Sequence, residues 1–164
     1  MRTMRTMRRR LSLAGVVVLA CAAGVFAQKP PAGTRGTLAE ADALLKTAVA
    51  HYEQAGRAQA LADFTAKKAP FADRDLYVFC YGSDGKTSAH GADPKLVGVP
   101  YDTLKDVDGK AFGTELWKVG SRPGGGTVEY KWKNPVSGAI ETKISVVRKV
   151  GDDVCGVGAY TPGA

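Results

Sequence analysis

The stretch Leu76-Tyr-Val-Phe-Cys-Tyr-Gly-Ser-Asp-Gly85, with Lys86 to His90 behind it, decides the fold. Its first six residues are rich in aromatic and β-branched side chains, which suit a buried strand, and Gly82-Ser-Asp-Gly85 has the composition of a hairpin turn. Lys86 to His90 then reads as the returning strand. Tyr77, Phe79 and Tyr81 alternate with Leu76, Val78 and Cys80, so the two sets face opposite sides of the sheet. The sequence does not say which set faces which layer.

Upstream of this hairpin, Leu38, Ala41, Leu45, Ala48, Tyr52 and Ala55 recur at steps of three and four, the spacing of one helical face. Thr37 and Glu40 have the spacing of a capping box. Gly56 weakens the pattern, but Ala58, Leu61, Ala62 and Phe64 resume it, so a long helix or two stacked ones should run to about Lys68. Pro70 stops it. Downstream, residues 91–109 are rich in Gly, Pro and Asp and read as a crossover, with a short helix over Ala111 to Val119. Thr127 to Lys133 alternates Val128, Tyr130 and Trp132 against polar neighbours, the period of a half-buried strand. Glu141 to Lys149 and Asp153 to Tyr160 supply two more strands. A long N-terminal helix followed by five strands is an α+β layout.

The first 27 residues read as an export signal: Arg2, Arg5, Arg8, Arg9 and Arg10 precede a short apolar run, and Val25-Phe26-Ala27 offers a cleavage site before Gln28. Val18-Leu19-Ala20-Cys21 offers a second outcome, a lipoprotein anchored through Cys21. The expected location is periplasmic or secreted. Removing residues 1–27 leaves 18 basic against 16 acidic side chains, a formal charge of +2, so the high overall pI belongs mostly to the signal. A nucleic-acid partner loses its electrostatic support. Residues 28–36 read as a linker, and 37–164 as one domain. Cys80 and Cys155 remain as an even pair in a chain bound for an oxidising compartment, which allows a disulfide between them.

Several separated blocks occur in an order that resembles the single Cache domain family: Leu76 to Gly85, Ala89-His-Gly-Ala-Asp-Pro-Lys-Leu-Val-Gly98, Leu104-Lys-Asp-Val-Asp-Gly109, Tyr130-Lys-Trp-Lys-Asn-Pro135 and Gly156-Val-Gly-Ala-Tyr160. The resemblance covers about residues 37–161. It implies a PAS-like five-stranded antiparallel sheet behind the long N-terminal helix, with a ligand pocket beneath the crossover. It also implies an extracytoplasmic sensor for small organic acids, amino acids or related metabolites. The chain ends at Ala164, so a freestanding domain is expected, one that passes its signal to another protein such as a membrane sensor or transporter, acts as a binding protein, or serves a function the family pattern does not reveal. In such a sheet the first and last strands are neighbours, and a Cys80–Cys155 disulfide would join them; two buried thiols are the alternative.

A carboxylate pocket needs a cation or several donors, with apolar walls around the rest. His90, Tyr130, Trp132, Lys143 and Tyr81 are the expected ligand-binding set. Tyr130 can donate its hydroxyl, Trp132 would form a wall, and Lys143 sits where the family pattern tends to have a lysine, which makes it the expected carboxylate partner. No cofactor is called for. Asp106, Asp108, Gly109 and Glu115 fall at calcium-loop positions, but Leu104 stands where the first acidic oxygen belongs, so a loop that turns at Asp108-Gly109 and caps a short helix is expected instead. The cysteines lack the close pairing of a zinc site. Nothing pairs a nucleophile with a base: the histidines are His51, on the helix, and His90, and an enzyme is not expected. The competing reading is a structural or interaction protein that uses the same fold with no pocket. Large side chains closing the cavity would favour it, whereas a sensor calls for an enclosed polar void near His90 and Lys143.

Overall fold

The computed structural model describes residues 35–161. The expected export signal, the Cys21 lipidation site and linker residues 28–34 lie outside the described residues. Arg35 and Gly36, read above as the end of the linker, belong to the domain. The Arg35 guanidinium pairs with Glu141, and Gly36 N–H donates to Asp75 Oδ1 at 2.7 Å.

Helix α1 (Leu38–Ala55) opens on a complete capping box: Glu40 N–H donates to Thr37 Oγ1 at 3.2 Å, and Thr37 N–H to Glu40 Oε2 at 2.7 Å. Its buried stripe is Ala41, Leu45, Ala48 and Tyr52. Leu38 and Ala55, expected at the two ends of that stripe, are exposed. Gly56, at φ +81°, ends the helix, and α2 (Arg57–Thr65) begins beyond it. The break resets the helical phase, so α2 buries Ala60, Leu61 and Phe64 while Ala58 and Ala62 face solvent. A periodicity carried straight across Gly56 misassigns those two alanines.

The strands are β1 (Ala72–Asp73), β2 (Leu76–Gly82), β3 (Thr87–His90), β4 (Gly126–Lys133), β5 (Ile140–Val150) and β6 (Asp153–Thr161), with α3 (Phe112–Gly120) in the crossover. All pair antiparallel in the order β1-β2-β6-β5-β4, and β3 also pairs with β2. The sixth strand, β1, has only two residues, too few to leave an alternating pattern in the sequence. Cys80 and Cys155 face each other across β2 and β6 and are joined by a disulfide.

The sheet separates two cores. Leu76, Val78 and Cys80 pack with Val146, Val157 and Ala159 against the buried faces of α1 and α2. Tyr77, Phe79 and Tyr81 take the opposite face with Phe112, Leu116, Val128, Tyr130 and Tyr160, beneath the crossover. The helix side is fastened by Asp153, fully buried, whose carboxylate accepts from Tyr52 Oη at 2.7 Å, Ser88 Oγ at 2.6 Å and Arg57 Nε at 2.7 Å. A buried carboxylate with this many donors is satisfied and holds α1, the start of α2 and β3 on one point of β6.

Candidate functional site

The crossover face of the sheet carries an unusual residue at its centre. Lys143 on β5 pairs with Tyr130 on one side and Tyr160 on the other, and its side chain is 0 % exposed. Its Nζ has no hydrogen-bond partner among the described residues. Instead it lies 3.8 Å from the Tyr77 ring centroid, 4.8 Å from that of Tyr160 and 5.6 Å from that of Phe79. Burial pushes the amine well below the usual lysine range, and the negative charge of Asp75 opposes this only in part. Asp75 is itself committed to Gly36 N–H and to Asn134 Nδ2 at 3.2 Å.

The sheet makes room for this side chain at Gly158. A Cβ there would stand 2.2 Å from Lys143 Cε and 2.3 Å from Ser145 Oγ, so only glycine lets the lysine stem lie across β6. The surrounding hydroxyls form a linked set: Tyr77 Oη and Tyr160 Oη are 3.2 Å apart, Tyr160 Oη donates to the Lys133 carbonyl at 2.9 Å, and Tyr130 Oη is 3.0 Å from Ser145 Oγ. Burial raises the pKa of these phenols, so they stay protonated donors.

His90 ends β3 opposite Phe79, with its ring 5.1 Å from that of Tyr77, which also contacts Lys143. Its Nδ1 accepts from Asp93 N–H at 2.9 Å, which leaves the neutral ring's proton on Nε2 as a donor. Burial holds its pKa down to about 3, and the positive charge of Lys67 acts in the same direction. Neutral imidazole is therefore the form present at ordinary pH.

A cavity of about 580 Å³ opens beside these groups, with His90 and Trp132 in its lining. Lys143, Tyr130 and Tyr81 are not part of that lining. Tyr130 is stacked on Phe112 at 4.3 Å, and Tyr81 packs between Phe79 and Tyr101 at 5.5 and 5.1 Å. The five expected residues thus divide into two at the cavity, His90 and Trp132, one buried under aromatic rings, Lys143, and two in the packed core of the same face. Reasoning from the sequence missed Tyr160 and Gly158 as parts of the site. Both lie in the Gly156 to Tyr160 block, and the alternation of β6 puts them on the Lys143 face once the strand register is known. Among the described residues no cluster of potential metal ligands occurs, and no helix is long and apolar enough to cross a membrane. Asp106 Oδ1 accepts from Asp108 and Lys110 N–H at 3.0 and 2.9 Å, closing the turn at Asp108-Gly109; the α3 N-cap is Ala111, which offers no side-chain cap.

A sequence profile described as Single Cache domain 2 matches residues 33–161. The chain belongs to this family. Cache domains are extracytoplasmic sensor domains. It is 35 % identical over 74 residues to the sensor histidine kinase MctS of Rhizobium johnstonii, a stretch that is 45 % of this chain and 16 % of the kinase. Three solved structures share the fold, each at 23 % identity. A methyl-accepting chemotaxis protein from Vibrio parahaemolyticus aligns with a TM-score of 0.64 over 74 % of this chain and 86 % of its own. A Cache chemosensory domain described for its carboxylic acid recognition aligns at 0.58 over 76 % and 88 %. The periplasmic sensor domain of a chemotaxis protein aligns at 0.58 over 76 % and 90 %.

Proposed function

We propose that this domain is an exported, non-catalytic sensor that captures a short carboxylate, with Lys143 as the cation that receives it. The observation that carries the reading is the fully buried Lys143 Nζ with no hydrogen-bond partner among the described residues. An unsatisfied buried amine lowers stability, and a fold retains one where an incoming group completes it. A carboxylate supplies both the missing acceptor and the charge that restores the ammonium. Tyr77, Tyr160 and His90 Nε2 can add donors, while Phe79 and Trp132 give apolar walls. The Cache chemosensory domain described for carboxylic acid recognition supports the ligand class.

Tyr77, Phe79 and Tyr160 cover the amine, so the ligand enters by way of the cavity at His90 and displaces part of that cover. Binding involves no bond making: no nucleophile and base are paired on this face, and Lys143 acts as a charge. The location is periplasmic or secreted, and the partner that reads the occupied state is a membrane sensor or transporter. The test is a thermal-shift panel of the purified protein with acetate, propionate, pyruvate and lactate, with neutral polyols as controls. A ligand at 100 times its dissociation constant adds about 2.7 kcal/mol of stability. Stabilisation by acids alone, abolished in Lys143→Met, is the expected result; a panel without any shift removes the reading and leaves a packed domain without a ligand.

A further inference from the structure

We infer that the cavity outside His90 binds a second anionic group, so that the preferred ligand is a two-headed acid of the dicarboxylate type. The inference rests on Lys143 receiving the first carboxylate. Lys67, Lys105, Lys131 and Lys133 line the cavity, against two acids, Asp93 and Asp106. Neither acid forms an ion pair with a lysine of the cavity among the described residues, and four lysines against two acids leave the lining net positive. Asp93 Oδ1 accepts from Lys95 N–H at 3.0 Å, and Asp106 accepts from three backbone N–H groups, including that of Lys131 at 3.1 Å. Lys131 Nζ is held by Asp108 at 2.8 Å. Lys67, Lys105 and Lys133 make no side-chain hydrogen bond or ion pair with any described residue, so three ammonium groups remain for an incoming anion.

Lysines on a surface usually mean no more than solubility, and two features separate these from that case. They converge on a cavity of about 580 Å³, whose His90, only 6 % exposed, presents an Nε2 donor with no acceptor. The charge of Lys67 is felt at His90, which places the two in one electrostatic neighbourhood. The second feature is the backbone of Lys67, held at φ +55° just beyond α2, where glycine or asparagine is the usual residue. Arg74, the other non-glycine residue at positive φ among those described, uses its side chain for ion pairs with Glu40 and Asp73; Lys67 has no such use inside the fold. A side chain kept at a strained position and aimed at a cavity is accounted for by what enters that cavity. The volume also exceeds what a two- or three-carbon acid needs, and Trp132 gives a wall for the carbon chain between the two charges.

The test is titration calorimetry at low ionic strength with matched pairs: butanoate against succinate, pentanoate against glutarate, hexanoate against adipate. The series measures the span from Lys143 to the cavity mouth. At least one diacid should bind about tenfold tighter than its monoacid, the gain expected from a few partly exposed ion pairs. High salt should shrink that ratio. A protein with Lys67→Gln, Lys105→Gln and Lys133→Gln should lose the ratio and keep its affinity for monoacids. Diacids that bind no better than monoacids, or a ratio that survives the triple substitution, overturn the inference while the reading of Lys143 stands. If instead Lys143→Met leaves diacid binding intact and still dependent on the three lysines, the cavity site stands and the reading of Lys143 falls. No heat with any of the six acids at millimolar concentration overturns both.

Discussion

Replacing Lys143 by methionine should make the ligand-free protein more stable and unable to bind acids. The amine is fully buried without a hydrogen-bond partner among the described residues, and burial holds it well below the usual lysine range. A lysine depressed in the fold binds its proton more tightly in the unfolded chain, so stability rises as pH climbs toward the ordinary lysine value of 10.5 and is lost below it. While the amine stays neutral in the fold, each unit below that value costs about 1.4 kcal/mol, or about 3 kcal/mol near pH 8.5. Methionine has a similar length, carries no charge and packs well against rings, as the Tyr77, Phe79 and Tyr160 cage requires. It gives up the contact of nitrogen with those rings, worth about 1 kcal/mol. The net gain is about 2 kcal/mol near pH 8.5, a rise in Tm of roughly 5 to 10 °C for a domain of this size. Urea unfolding of both proteins at about pH 7.5 and about pH 9 reads the effect. The wild type should gain stability between the two pH values, by up to about 2 kcal/mol where the amine is neutral throughout, and the variant should stay flat over this lysine-controlled range. Above about pH 10 the buried tyrosines reverse the trend, because the unfolded chain then loses protons that the fold retains. A variant less stable than the wild type at both pH values, or one with the same slope, would refute the account of Lys143 as a costly buried amine.

Three further outcomes follow from single contacts. His90 is held down to about 3 from 6.5, so its contribution to stability is lost as pH falls through that window, at about 1.4 kcal/mol per unit; His90→Leu should remove this slope from urea unfolding between about pH 6 and pH 4. Gly158→Ala puts a methyl group 2.2 Å from Lys143 Cε and should cost about 1 to 3 kcal/mol in thermal unfolding, with acid binding lost through the displaced lysine. Reduction of Cys80–Cys155, which closes a separation of 75 residues, should lower stability by about 4 kcal/mol in the chain-entropy account, measured by urea unfolding with and without reductant.

The elements were legible because each has a local cause. Thr37 and Glu40 mark the start of α1, the run from Leu76 to Tyr81 can only be a strand, and Val128, Tyr130 and Trp132 alternate as a half-buried strand must. Errors arose where a neighbour in space outweighs the chain. Gly56 breaks the helix and shifts the phase beyond it, Arg35 is drawn into the domain by Glu141 from the far end of the chain, and β1 exists because β2 offers it an edge.

The candidate site divides along the same line. Local pattern could place Tyr130 and Lys143 in strands, but neither the face of Tyr77 nor the pairing of Lys143 between Tyr130 and Tyr160 is local information. Composition, periodicity and caps determined that this chain makes helices and five main strands, because those signals act over a few residues of one segment. Which face receives the crossover, which lysine is stripped of water and which lysines stay at the cavity mouth were decided only by the tertiary structure. Desolvation depends on everything packed around an atom, and for Lys143 Nζ that means side chains from β2 and β6 that lie far from it in the sequence.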